Sequence, residues 1–183
     1  MMKRLAMNEV TVVFCTAKGW DWKTKILHKI IGSTVEAITD SDFAHAAIIV
    51  DNKTYEMLEP GLVETNGRVY TESNTESLEE ITIQFTDEQI EKLRWLLNQW
   101  ESSNVGYALL TGCVAAGVAK YFPSIGNHID DYWSDLFNTM MCSEMVTNCI
   151  RIKYPDFLQE YESGSVYPEL CRVALKERIK NEC

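Results

Sequence analysis

The chain is 183 residues long, 46% apolar and 24% charged. That is the composition of an ordinary soluble globule, long enough to bury a core within one domain, 1–183. Seventeen basic against 27 acidic side chains leave a net charge of −10. This argues against nonspecific binding to nucleic acid or to an anionic membrane, both of which want a basic face. It suits a neutral or cationic partner.

Residues 9–17, EVTVVFCTA, are β-branched and aromatic and predict a buried strand. In WDWKTKILHKIIG, 20–32, apolar residues at 22, 26, 27, 30 and 31 follow a helical spacing that ends in a glycine. Trp20 and Trp22 flank Asp21 there; anchoring of this first helix accounts for them better than the rim of a cleft. FAHAAIIV, 43–50, predicts a second strand, DNKT a turn, and YEMLE an antiparallel return. The acidic stretch TESNTESLEE, 71–80, predicts a solvated loop, and its carboxylates lack the spacing of a calcium loop. EEITIQF, 79–85, alternates as a strand does.

TDEQIEKLRWLLNQW, 86–100, predicts a helix with a capping box between Thr86 and Gln89. Ile90, Leu93, Leu97 and Trp100 line one face of it. YALLTGCVAAGVAKYF, 107–122, is shorter than a membrane span and interrupted by glycines. It predicts a buried helix, with partial membrane insertion as the alternative. Turn residues crowd FPSIGNHIDDYWSD, so His128, beside Asp130 and Asp131, reads as a loop histidine before a metal ligand. CSEMVTNCIRI, 142–152, predicts a short amphipathic helix, and PELCRVALKERIK a terminal helix starting at Pro168. With no repeat and no linker, this order predicts an α+β domain, a small antiparallel sheet packed against helices.

Six cysteines stand at 15, 113, 142, 149, 171 and 183, with no C-x-x-C pair. Neither a zinc site nor a cofactor is expected. The start, MMKRLAMNEVTVVF, has basic residues but no long apolar core or small-residue cleavage site. The expectation is a cytoplasmic chain whose thiols are reduced and able to act as nucleophiles. Cys142 is the candidate because it opens a helix. Unpaired amides and the positive end of the helix dipole lower a thiol pKa there, and the same amides can hold an oxyanion. Cys149, on the side of Met145 and Val146, reads as core packing, as do Cys15 and Cys113. Nothing in the pattern pairs Cys171 or Cys183 with a histidine.

Of three histidines, His28, His45 and His128, only His45 falls inside a strand that otherwise reads as core. A tight two-residue turn near Asn52 and Lys53 places His45 on the same face as Thr54, Glu56 and Leu58. Glu56 then lies diagonal to His45, within reach. A different loop length would bring Glu59 there instead. A carboxylate in that position fixes the imidazole tautomer and stabilises its cation, as a histidine-assisted nucleophile requires. The plainer alternative is a satisfied core histidine opposite an exposed glutamate.

The order FAHAAIIV, YEMLEPGLVE, VGYALLTG, MCSEMV and VYPEL resembles the permuted papain-like amidases of the YiiX type, relatives of the NlpC-type cell-wall peptidases. In that family a histidine opens a strand, a polar residue follows in the next, and a cysteine later begins a helix. The resemblance covers about residues 9 to 170. It implies a permuted papain-like fold with Cys142 as nucleophile, His45 as base and Glu56 as orienting group. It further implies Tyr107, after Gly106, lining the site, and Ser143 belonging to the substrate and oxyanion region.

The expected activity is that of a cysteine hydrolase acting on an amide or isopeptide bond through a thioacyl-enzyme. Its partner would be a small peptide, amino-acid amide or acyl substrate. Two alternatives remain at this level. The same triad could act on a lipid acyl ester, with 107–122 lining an acyl channel, or the domain could be a noncatalytic binding module.

Overall fold

The computed structural model of the protein describes residues 7–17, 42–58, 61–103, 105–107, 139–161 and 166–182. The helix expected at 20–32, the apolar segment beyond Tyr107, Trp20, Trp22, His28, His128, Glu59, Cys113 and Cys183 lie outside these residues.

Five strands form one antiparallel sheet: β1 (Met7–Ala17), β2 (His45–Val50), β3 (Lys53–Leu58), β4 (Gly61–Asn66) and β5 (Thr75–Thr86). Their spatial order is β4-β3-β2-β1-β5. Three helices complete the described α+β fold: α1 (Asp87–Ser102), α2 (Cys142–Arg151) and α3 (Pro168–Lys180). Two short strands, β6 (Gly106–Tyr107) and β7 (Thr139–Met140), pair in parallel just ahead of α2. None of the described helices is long and apolar enough to cross a membrane.

The turn between β2 and β3 follows from its residues. Asp51 and Asn52 both take positive φ, 53° and 59°, a conformation that Asp and Asn tolerate and that a tight hairpin turn demands. The turn pairs Val50 with Lys53 and Ala47 with Glu56. Because side chains alternate along a strand, this register puts Glu56 on the face of His45.

The stretch 71–80 is a loop only at its start. β5 begins at Thr75 and pairs with β1 along its whole length, from Met7 opposite Thr86 to Ala17 opposite Thr75. Charges are tolerated because β5 is an edge strand. Glu79 is ion-paired with Arg172 at 2.5 Å and Lys176 at 2.6 Å, and Glu80 with Arg68. The other edge, β4, escaped the sequence reading: its later half is exposed and polar, so it lacks the apolar alternation of a strand packed on a core.

α1 starts as its residues predict. The Thr86 hydroxyl accepts from the Gln89 amide at 3.3 Å, and the Gln89 side chain accepts from the Thr86 amide at 2.9 Å. Ile90, Leu93 and Leu97 are buried, and Trp100 packs against them at the margin. The main core joins this face to Val10, Val12, Phe14, Ala46, Ile48 and Val50 of the sheet and to Met145, Val146, Cys149 and Ile150 of α2. The opposite face carries a smaller cluster of Val13, Cys15, Ala47, Ile49 and Tyr70.

Gly61 ties the sheet to the segment that leads toward α2. Its φ is +112°, and a Cβ there would overlap the backbone carbonyl oxygen of Val105, just before β6. Gly61→Ala is therefore expected to destabilise the fold by about 2 kcal/mol, since both the backbone angle and the close approach oppose a side chain. Chemical denaturation of the variant checks this; an unchanged midpoint would contradict it.

Candidate active site

β2 opens with His45, and the β2–β3 hairpin delivers Glu56 to the same face. The His45 Nε2 lies 3.0 Å from Glu56 Oε2. An ionised carboxylate only accepts, so Nε2 carries the proton and donates it. α2 meanwhile presents Cys142 from its first position, and the Cys142 thiol is hydrogen-bonded to His45. With Nε2 committed to Glu56, Nδ1 is the ring nitrogen left available to sulfur. Cysteine, imidazole and carboxylate thus form one chain, from the helix start through the first residue of β2 to the middle of β3.

Burial makes this chain electrostatically strong. His45 is 7% exposed, Glu56 3% and Cys142 3%, so bulk water screens the three groups little. Burial by itself disfavours the imidazolium. The charge and hydrogen bond of Cys142, with those of Glu56, together outweigh it, so His45 is raised from 6.5 to about 10. Burial likewise opposes ionisation of Glu56, yet the hydrogen bond and charge of His45 and the hydrogen bond from Tyr70 hold its carboxyl below the usual range. The arrangement favours an imidazolium between two anions.

Tyr70 is the member that sequence reasoning missed. Its hydroxyl donates to Glu56 Oε2 at 2.5 Å, the oxygen that also accepts from His45. The two rings lie 5.7 Å apart and are tilted by 53°. One signal was available: Tyr70 is a large aromatic inside the polar run NGRVYTESNTES, a setting in which an aromatic is informative when buried. Its partner could not be read from spacing, because 70 lies beyond the hairpin.

The other candidates fall around this chain. Cys15 sits directly across β1 from His45, and burial, with the charges of Cys142 and Glu56, pushes its thiol well above the ordinary range. Cys149 is also raised by burial, and Cys171 is pushed up to about 12. Cys15, Cys149 and Cys171 are in no disulfide. Ser143 follows Cys142, but its buried hydroxyl donates to the Val166 carbonyl. That side chain ties α2 to the residues that lead into α3. Tyr107 is placed opposite Met140 by the parallel β6–β7 pair, two residues ahead of Cys142. Met141 is the N-cap, and its amide donates to Glu144 Oε2 at 3.2 Å. Among the described residues no group of three or more His, Cys, Asp or Glu side chains is arranged to hold a metal ion.

The fold and the side chains together define an α+β protein bearing a buried thiol–imidazole–carboxylate chain, closed at its acidic end by a tyrosine. Comparison with known protein families, with curated proteins and with solved structures finds no match for the chain.

Proposed function

We propose that the protein is a cysteine hydrolase of the permuted papain-like arrangement, cleaving an amide or isopeptide bond. The observation that carries this reading is that one histidine, His45, is hydrogen-bonded both to Glu56, through Nε2, and to Cys142. A histidine serving only as core packing has no use for both an anionic orienter and a thiol at a helix start. The chain order, histidine strand before cysteine helix, supports the permuted arrangement.

In the proposed reaction the Cys142 thiolate attacks the carbonyl carbon of the substrate. The developing oxyanion is held by amides of the first turn of α2, which have no intrahelical acceptor. His45 then gives its Nδ1 proton to the leaving nitrogen as the C–N bond breaks, which leaves a thioacyl-enzyme. Water attacks that thioester, His45 takes a proton from it, and the C–S bond breaks to release the acid. Glu56 keeps the ring aligned and stabilises its cation throughout. The net charge of −10 favours a cationic leaving group such as a lysine side chain. A reducing compartment, the cytoplasm, belongs to the same proposal because it keeps the nucleophile reduced.

The test compares wild type with Cys142→Ala on an electrophilic cysteine probe and on a panel of lysyl amides, peptidoglycan fragments and fatty acyl esters. Probe labelling at Cys142 and amide turnover, both lost in the variant, are expected. Turnover of esters alone would move the assignment to acyl esters. No selective labelling and no turnover would leave a binding module.

A further inference from the structure

We infer that Tyr70 is a positioning residue for this site: its hydroxyl holds the Glu56 carboxylate ionised and aimed at His45. The inference rests on the reading of Cys142, His45 and Glu56 as a catalytic chain and adds a fourth member to it.

The geometry carries it. A carboxylate in a buried site needs donors, and Glu56 Oε2 has two: the His45 ring at 3.0 Å and the Tyr70 hydroxyl at 2.5 Å. Both donate to one oxygen, so that oxygen cannot itself carry a proton, and the carboxylate cannot turn away without losing both bonds. Tyr70 is buried, packs in the cluster of Val13, Cys15, Ala47 and Ile49, and sets its ring beside that of His45. It therefore also keeps water from that side of the carboxylate. Burial and the neighbouring Glu56 charge push the Tyr70 hydroxyl far above its ordinary range, which keeps it a donor at every working pH. The ionisable groups acting on the pair come from each packed element: His45 on β2, Glu56 on β3, Cys15 on β1 and Cys142 on α2.

The consequence is a pH dependence with a defined sign. A donor to the carboxylate favours its ionised form, so removing the donor raises the pH at which Glu56 takes a proton. Once Glu56 is neutral the imidazolium loses its anion, and the Cys142–His45 pair loses support. Acid inactivation should then begin at higher pH.

The experiment follows the ring resonances of His45 by NMR through the acid range, assigned by comparison with His45→Gln. Tyr70→Phe keeps the ring and deletes the hydroxyl; 3-fluorotyrosine at position 70 keeps the hydroxyl and makes it a stronger acid. The acid-range inflection sensed by His45 is expected to rise by about one pH unit in Tyr70→Phe and to fall in the fluorotyrosine protein. The acid limb of Cys142 alkylation is expected to move the same way. Inflections that coincide with wild type in both proteins would overturn the inference and leave Tyr70 a packing residue. Should Tyr70→Phe fail to fold, the direction of the fluorotyrosine shift decides alone. The hydrolase reading fails separately: wild-type Cys142 would then alkylate like an ordinary thiol, whatever the His45 resonances do.

Discussion

Alkylation of Cys142 by iodoacetamide at about pH 5.5 is expected to slow by at least about a hundredfold when His45 is replaced by alanine. An ordinary thiol with a pKa near 8.5 is ionised to only about one part in a thousand at that pH, and the thiolate is the reacting species. In the native site the hydrogen bond and charge shared by Cys142 and His45 favour a thiolate–imidazolium pair. Deleting the ring removes the cation and leaves a buried sulfur whose ionisation burial opposes. A thiolate of lower pKa is also intrinsically less nucleophilic, which keeps the expected ratio below the full ratio of ionised fractions. Peptide mapping of the labelled protein reads the rate at Cys142 by itself. The described neighbours supply the internal control: Cys15, Cys149 and Cys171 are buried, and each is shifted upward. Equal rates at Cys142 in wild type and His45→Ala would remove the foundation of the proposed mechanism.

Replacing Glu56 by glutamine is expected to destabilise the protein by about 3 kcal/mol near pH 6, where removal of one partner leaves a buried charge uncompensated. The size of the loss should depend on pH in a specific way. His45 holds its proton more tightly folded, at about 10, than at its ordinary value of 6.5. Its contribution to stability is complete below 6.5 and is lost as the pH climbs through about 10. Glu56 is shifted the other way, below its ordinary 4.5. Its contribution is complete above 4.5 and is lost as the pH falls through the depressed folded value. The two windows overlap between about 4.5 and 6.5, so the gap between wild type and Glu56→Gln should be widest there. It should narrow toward pH 10 and again in strong acid. Urea unfolding at a series of pH values measures it. A gap that stays constant from pH 4 to 10 would mean that the pair does not carry its charges in the folded protein.

Much of the secondary structure was legible because its causes are local. Thr86 and Gln89 mark a helix start that the hydrogen bonds bear out. Pro168 opens α3 and Cys142 opens α2 as their positions suggested. The hairpin turn falls at Asp51 and Asn52, one residue before the expected Asn52 and Lys53, yet either tight turn pairs odd with even positions, so Glu56 shares the face of His45 in both. The errors have equally definite causes. β5 begins at Thr75 rather than at 79, and β4 lies where the pattern predicts no strand, because edge strands carry charged and polar residues that local pattern assigns to loops. Ser143 looked like a site residue from its place beside Cys142, whereas its side chain turns inward to Val166, a partner 23 residues away.

The sequence by itself determined the charge of the molecule, the helix starts, a hairpin turn within DNKT, and the face shared by His45 and Glu56. Each depends on steric and hydrogen-bonding rules that act within a few residues along the chain. Only the tertiary structure decided that Cys142 is hydrogen-bonded to His45, that Tyr70 closes on Glu56, and that Cys15 lies across from His45. Those contacts join elements far apart in sequence, and they form because the helix and the sheet bury their apolar faces against one another, a packing solution that no local period encodes.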